Sequence, residues 1–175
     1  MNITVIGCGR WGSLITWYLD RTGHRVTLYG RPESERMQRF LETRSNDLLT
    51  LPQSVALSTD LSCVQEVETV IISIGSQSLR GLMEELRPMA LRGKTFVLCM
   101  KGLEIGTGKR LSQVAREYLD ASNAVAEKMK SVWRLGRLEL SLLWVWTPLN
   151  RPIPVSLPPP SVIRLRVWCQ PTFRG

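Results

Sequence analysis

Short apolar runs alternate with amphipathic segments along the first 120 residues of the chain. Five of these runs are predicted to be strands, and they span residues 3–6, 25–29, 55–58, 69–74 and 95–100. The runs at 69–74 and 95–100 are almost continuously apolar, which is typical of strands buried on both faces of a parallel sheet.

The segments between the runs carry apolar residues at helical spacing. In the first of them, the spacing predicts a helix whose sheet-covering face consists of Trp11, Leu14, Ile15, Tyr18 and Leu19. Further helices are predicted over residues 32–44, 60–66, 79–86 and 111–118. Thr59 or Asp60 can cap the brief helix at 60–66, and Pro88 closes the helix at 79–86.

This alternation of strands and helices predicts an α/β fold, a doubly wound parallel sheet of the Rossmann type. Ligands of such sheets bind beyond the carboxyl ends of the strands. Four glycine-rich or polar loops follow predicted strands and are therefore expected to converge on one edge. They contain residues 7–12, 30–31, 75–77 and 101–102.

A G-x-G-x-x-G motif lies between the first strand and the first helix, in the order that dinucleotide binding requires. Gly7 allows a tight turn, Gly9 lets a pyrophosphate approach the backbone, and Gly12 lets the helix pack against the strand. The helix N-terminus then faces the phosphates. The motif predicts a dinucleotide site, and the alternative is a glycine turn without a ligand.

The end of the second predicted strand bears on the choice of cofactor. NAD sites of this kind usually carry Asp or Glu there, whereas this chain has Gly30 and Arg31. Because a guanidinium can neutralise a 2′-phosphate, the pattern favours NADP over NAD as the cofactor. The alternative is that Arg31 is a solvated loop cation.

Composition and charge point to an ordinary soluble domain with a distinct tail. The chain is 43% hydrophobic and 22% charged, with a net charge of +8. Residues 1–126 carry 15 Lys or Arg against 13 Asp or Glu, whereas residues 127–175 carry 8 against 2. Most of the excess charge thus belongs to the tail, and the domain itself is not predicted to bind nucleic acid.

Neither a secretory signal nor an apolar run of the roughly 20 residues that span a bilayer is present in the sequence. The four cysteines show no C-x-x-C pairing, so no metal site is expected and a reducing, cytoplasmic location is predicted. They are Cys8, Cys63, Cys99 and Cys169. The single histidine, His24, follows a glycine at a helix exit and is interpreted as a turn residue.

Five stretches resemble the N-terminal half of bacterial NAD(P)-dependent glycerol-3-phosphate dehydrogenase, over residues 2 to about 124. They read ITVIGCGRWG, GHRVTLYGR, LPQSVALSTDL, GSQSLR and CMKGLEIGTGKRLSQVAREYL. The KGLE stretch with its following threonine-glycine is the most specific of these beyond the glycine turn. Gly75 departs from the family, which has proline there.

The resemblance implies reduction of dihydroxyacetone phosphate to sn-glycerol 3-phosphate, for phospholipid synthesis. By position, Arg10 and Trp11 match residues that line the cofactor pyrophosphate, and Arg31 matches the residue at the adenosine ribose. Lys101 matches a lysine that touches both cofactor and substrate; the alternative is a surface cation at a strand end. The implied partner is a phosphorylated triose.

The resemblance stops near residue 124, where the family continues with a sixth strand and an all-helical domain carrying the catalytic lysine. We therefore expect a cofactor domain at 1–124 that lacks the sixth strand, and no catalytic residue in this chain. Residues 125–175 hold four of six tryptophans and seven of ten prolines, which predicts an irregular tail. Our hypothesis for the tail is an out-of-frame translation; the rival is a basic arm for nucleic acid or anionic membranes.

Two alternatives to an active dehydrogenase remain at this point. One is a folded module that binds NAD(P) and catalyses nothing, since hydride transfer also needs a proton donor and a closed pocket. The other is a fragment of a 6-phosphogluconate-type dehydrogenase, against which the KGLE stretch argues.

Overall fold

Six strands form one parallel sheet in the computed structural model, which describes residues 1–126. The strands are β1 (Asn2–Ile6), β2 (Arg25–Tyr29), β3 (Ala56–Ser58), β4 (Thr69–Ile72), β5 (Thr95–Leu98) and β6 (Ala124–Ala126). The helices are α1 (Arg10–Arg21), α2 (Glu35–Thr43), α3 (Leu79–Leu86) and α4 (Leu111–Arg116). Short 3-10 turns occupy Leu61–Val64, Ser76–Ser78 and Arg87–Met89.

The strand order is β3-β2-β1-β4-β5-β6, with every pair parallel. Successive residues of the central strands point to opposite faces, so Ile71 packs into one core and Ile72 into the other. Leu19 of α1 and Phe40 of α2 belong to the first core, whereas α3 and α4 supply the second. Helices thus cover both faces, which confirms the predicted doubly wound sheet.

The predicted sheet-covering face of α1 is only partly correct, because Leu19 is buried and Ile15 packs against the core, whereas other members of the face are exposed. Trp11 and Leu14 are 54% and 40% exposed, and the buried positions are Gly12, Ser13, Thr16 and Leu19. The reason is the close approach of α1 to the end of β1, because small residues must line so tight a contact. Apolar spacing alone therefore found Leu19 but included the exposed Trp11 and Leu14 and missed the small buried residues.

Several predicted elements are shorter in the structure. The helix predicted from residue 32 begins at Glu35, and β4 and β5 end at Ile72 and Leu98. The brief helix predicted over 60–66 is the 3-10 turn Leu61–Val64. Asp60 caps this turn by accepting a hydrogen bond from the Ser62 amide at 2.9 Å, as the sequence predicted.

The expectation that the sheet lacks a sixth strand is also wrong. β6 pairs with β5, with Ala124 opposite Thr95 and Val125 opposite Phe96. Buried Asn123 fixes the start of β6: its side chain accepts from the Lys94 amide at 2.9 Å and donates to the Leu91 carbonyl at 2.8 Å. The predicted irregular tail, its proposed frameshift and the rival basic arm otherwise lie outside the described residues.

Candidate functional site

The carboxyl ends of five strands lie in one row across the sheet. Ser58, Tyr29, Ile6, Ile72 and Leu98 are opposite one another in register, and each is the last residue of its strand. The loops that follow therefore leave the sheet side by side. As predicted, the four candidate loops share this edge, with the glycine turn at its centre.

Packing of the chain itself demands two of the three motif glycines. A Cβ on Gly7, whose φ is +114°, would lie 2.2 Å from the Ser73 carbonyl oxygen of the neighbouring strand end. A Cβ on Gly12 would lie 1.7 Å from the carbonyl oxygen of Gly7. These glycines bring α1 directly against the end of β1.

Gly9 is different, because nothing among the described residues 1–126 excludes a side chain there. Its φ of −73° suits any residue, and a Cβ would meet only the Arg36 Nη1 atom, at 3.8 Å. The lack of a Cβ leaves open space directly in front of α1. This open space is a cradle that a Cβ would fill, as a closely approaching ligand requires.

The start of α1 presents hydrogen-bond donors and positive charge to this cradle. The first amides of a helix have no partner within the helix, and the helix dipole favours an anion there. Gly9 contributes no capping side chain, and the first turn contains no acidic residue. Arg10 and Trp11 are both exposed at this end.

Arg36, on α2, is a cation that sequence analysis missed. Its guanidinium lies beside Gly9, at the cradle. The register of α2 was the available signal: Met37 is fully buried in the core, and its neighbour Arg36 lies at the edge of that buried face, towards the glycine turn. An anion at the cradle would therefore meet helix amides and a guanidinium together.

At the end of β2, the structure explains why no carboxylate stands at residue 30. A Cβ on Gly30 would lie 2.8 Å from the Cβ of Met37 and 2.9 Å from Cys8 Sγ. Arg31 follows immediately, and its Nη2 donates to Glu85 Oε1 of α3 at 2.6 Å. The loop after β2 thus carries a guanidinium and its carboxylate partner.

Lys101 is exposed and follows β5 at the same edge of the sheet. The backbone turns sharply at Gly102, whose φ is +109°. One side chain from the β4–α3 connection and one from α3 hold the loop that follows. The Gln77 amide donates to the Leu103 carbonyl at 3.0 Å and accepts from the Ile105 amide at 3.0 Å.

Arg80 makes the second contact with this loop. Its guanidinium binds both oxygens of Glu104, at 2.7 and 2.8 Å, and also contacts Glu117 and Tyr118. Hydrogen bonds from Arg80 and then from Thr107 lower the pKa of Glu104 to about 2. The segment 101–110 is therefore fixed to α3 and α4, although the sequence showed only that its residues follow a strand.

Arg31 and Lys101 lie on opposite sides of the glycine turn, beyond β2 and β5. Three strand spacings separate these two strands, about 14 Å at about 4.8 Å each. His24 precedes β2 and lies at the other end of the sheet, as its interpretation as a turn residue implied. Burial, and then the charge of the N-terminal amino group, lower the pKa of His24.

A family described as NAD-dependent glycerol-3-phosphate dehydrogenase N-terminus matches residues 2–127. The chain belongs to this family. The match covers most of the chain and all of the described fold, and it sets aside the 6-phosphogluconate-type alternative. The predicted resemblance is confirmed, and the family is one of nicotinamide-dinucleotide-dependent oxidoreductases.

A glycerol-3-phosphate dehydrogenase [NAD(P)+] from Thermoanaerobacter sp. (strain X514) is 36% identical over 123 residues. The alignment covers 68% of this chain and 37% of that relative. The chain thus spans little more than a third of the length of the curated relative that it matches.

Solved structures of two glycerol-3-phosphate dehydrogenases share the fold. The enzyme from Coxiella burnetii has a TM-score of 0.62 at 23% identity, and 67% of this chain and 37% of that one are covered. The enzyme from Saccharomyces cerevisiae has a TM-score of 0.60 at 22% identity, with 71% and 41% covered. Within residues 1–126, none of the helices is long and apolar enough to cross a membrane.

Proposed function

We propose that residues 1–126 bind NAD(P)(H) and form the cofactor-binding part of a glycerol-3-phosphate dehydrogenase. The observation that carries the proposal is the contrast among the glycines of the turn. Gly7 and Gly12 are required by packing, whereas Gly9 leaves open space before the first amides of α1. A ligand that needs close backbone approach accounts for that third glycine.

The residues around the cradle suit a pyrophosphate. Amides at the start of α1 donate to it, and Arg36 supplies a nearby positive charge. Arg10 and Trp11 flank the same helix end. The adenosine side lies towards β2 and Arg31, and the nicotinamide side lies towards β4 and β5, where Lys101 follows.

The proposed substrate is dihydroxyacetone phosphate, a phosphorylated triose. When bound, the nicotinamide cofactor supplies the hydride that reduces the carbonyl. Lys101 lies at the edge where a fixed cation would attract the substrate phosphate and stabilise negative charge developing on the carbonyl oxygen. Hydrogen bonds from Gln77 to Leu103 and from Arg80 to Glu104 hold the loop that carries Lys101.

We propose that residues 1–126 hold the cofactor and do not supply the proton donor of the reaction. Reduction of a carbonyl needs a proton donor, and the resemblance assigns that role to a lysine in the all-helical domain of the family. For the polypeptide of residues 1–175, consumption of NADPH with dihydroxyacetone phosphate is expected to equal the enzyme-free blank, and a higher rate would contradict this part of the proposal.

For the cofactor, we propose acceptance of both NAD(H) and NADP(H), with NADPH preferred. Two features of the β2 end support this preference. Gly30 is too crowded to be replaced by the carboxylate that holds ribose hydroxyls in NAD sites, and Arg31 offers a cation for a 2′-phosphate. Titration of NADH and NADPH into the same protein tests the order of affinities.

We also propose that the protein works in the cytoplasm. Cys8, Cys63 and Cys99 are free thiols. Burial raises the pKa of Cys99 to about 11 and raises the pKa of Cys63, so both are protonated and unreactive at neutral pH. Recovery of the chain in a secreted or periplasmic fraction would contradict this placement.

The substitution Gly9→Ala tests the proposed binding site. Its Cβ fits the folded chain, so we expect an unchanged melting temperature, but it fills the cradle and should weaken NADPH binding at least about tenfold. Gly81→Ala is the matched control, because a Cβ on Gly81 in α3 meets nothing within 4 Å in the described residues and lies away from the cradle. Equal NADPH affinity in the two variants and the wild type would refute the site.

A further inference from the structure

The ion pair between Arg31 and Glu85 places a carboxylate near the end of β2, where the adenosine ribose of the proposed cofactor is expected to lie. The ribose of NADP(H) carries a 2′-phosphate, and that of NAD(H) does not. Arg31 Nη2 and Glu85 Oε1 are 2.6 Å apart, and the two side chains are 51% and 44% exposed. The pair therefore joins the loop after β2 to the surface of α3 while remaining accessible to a ligand.

The arrangement is specific to Glu85 and is not shared by its neighbour. Glu84 accepts a hydrogen bond from the Tyr118 hydroxyl at 3.2 Å and so lies towards α4. The buried face of α3, with Leu82, Met83 and Leu86, fixes the directions of both carboxylates. Two adjacent residues with the same charge thus contact different parts of the fold.

The negative charge of Glu85 reaches the end of β2. Tyr29, the last residue of that strand, is buried. Burial and then the charge of Glu85 raise the pKa of Tyr29, and the positive charge of Arg31 opposes them. The two members of the ion pair therefore contribute opposing fields at the strand end where the adenosine ribose is proposed to lie.

We propose that Glu85 is a specificity-determining residue that competes with the 2′-phosphate of NADP(H) for Arg31. The inference rests on the proposed function. NADP(H) must displace the carboxylate from the guanidinium, and it then places a phosphate close to the displaced negative charge. NAD(H) has no 2′-phosphate and meets neither cost. Glu85 therefore reduces the preference for NADP(H) over NAD(H) that Arg31 confers.

The effect is moderate because both side chains are solvated. Exposed ion pairs contribute little to stability, and water screens repulsion between exposed charges. Removing the carboxylate should therefore change affinity several-fold and not by orders of magnitude. The change should also shrink at high ionic strength, because it is electrostatic.

The test compares Glu85→Gln with the wild type and with Glu84→Gln, which removes the same charge from the adjacent position. The probes are NADPH and NADH, together with 2′,5′-ADP and 5′-AMP, which differ only in the 2′-phosphate. We expect Glu85→Gln to tighten NADPH and 2′,5′-ADP about fivefold. NADH and 5′-AMP should bind as before, and Glu84→Gln should bind all four as the wild type does.

The double variant Arg31→Ala/Glu85→Gln tests whether Arg31 is required for the effect of Glu85. It should show no gain in NADPH affinity over Arg31→Ala alone, since Glu85 is proposed to act through Arg31. Weaker or unchanged NADPH binding in Glu85→Gln, or an equal gain in Glu84→Gln, would overturn the inference alone. Failure of every variant and of the wild type to bind any of the four probes would overturn the proposed function, and this inference with it.

Discussion

Glycine occupies four positions beside the ends of β1 and β2, for reasons that differ from one residue to the next. Gly7 and Gly12 are needed for contact between α1 and the end of β1, and Gly30 for contact with Met37 of α2. Among these four, Gly9 is the one that leaves space not filled by residues 1–126. The motif predicted that glycines would be here, but packing had to be seen before the ligand-related glycine could be separated from the structural ones.

Gly12→Ala should damage the fold. Its Cβ would lie 1.7 Å from the Gly7 carbonyl oxygen, and backbone cannot yield as a flexible side chain can. We expect the free energy of unfolding to fall by about 3 kcal/mol or more. Urea unfolding measures this. Gly81→Ala should show no loss and up to about 1 kcal/mol of gain, because alanine favours helix; equal stability of the two variants would contradict the packing argument.

Arg36 and Arg31 should differ in the cofactors that they affect. Arg36 lies at the cradle for the pyrophosphate, which NADH and NADPH share, so Arg36→Gln should weaken both about five- to tenfold. Arg31→Ala should weaken mainly NADPH. Isothermal titration calorimetry on both variants provides the comparison. A loss confined to NADPH in Arg36→Gln would move Arg36 from the pyrophosphate to the 2′-phosphate.

At the scale of elements, the loop after β5 is held by its neighbours and not by its own sequence. Gln77 binds its backbone and Arg80 binds Glu104, while Lys109 pairs with Glu117 at 2.6 Å. The Arg80 and Glu104 side chains are only 29% and 13% exposed, so this pair is better shielded than an ordinary surface ion pair. Arg80 also contacts Glu117 and Tyr118, which follow α4. This Arg80 network therefore connects α3, the end of α4 and the loop that carries Lys101.

The Arg80 network predicts a loss of stability in acid. The pKa of Glu104 is about 2 in the folded chain, against an ordinary value of 4.5. Because the unfolded chain binds the proton first, stability is present above pH 4.5 and is lost as the pH falls towards 2. Urea midpoints measured at pH 5.5 and pH 3 report the change.

Glu104→Gln provides the control for that experiment, since it resembles the protonated side chain at every pH. Its urea midpoint should be lower than that of the wild type at pH 5.5, and the difference should narrow at pH 3. Glu66→Gln, on an exposed residue, should change neither value. Wild type and Glu104→Gln differing equally at both pH values would exclude the network as the source of acid sensitivity.

For the molecule as a whole, the sequence was sufficient for the fold class and for the edge where the site lies. The buried runs at β4 and β5 are unmistakable, because strands covered on both faces contain few polar residues. The glycine motif and the loops at the strand ends located the site. The family match over residues 2–127 agrees with both.

Contacts between distant segments could not be predicted in this way. The face of α1 was predicted only in part, because close helix–strand contact favours Ser13 and Thr16 over larger apolar residues. The three residues of β6 carry no strand signal of their own, since buried Asn123 and pairing with β5 create that strand. Arg36 and Glu85 reach the site only through the packing of α2 and α3.

The central claim is that backbone amides at the start of α1 hold the pyrophosphate of a nicotinamide dinucleotide. Titration of NADPH into the ¹⁵N-labelled protein, followed by amide chemical shifts, tests it most directly. We predict the largest chemical-shift changes at Arg10, Trp11 and Gly12. No change is expected at Gly23 and Gly93, which precede β2 and β5 at the amino ends of the strands. Unchanged chemical shifts of the α1 amides at millimolar NADPH, or larger changes at Gly23 and Gly93, would contradict the account.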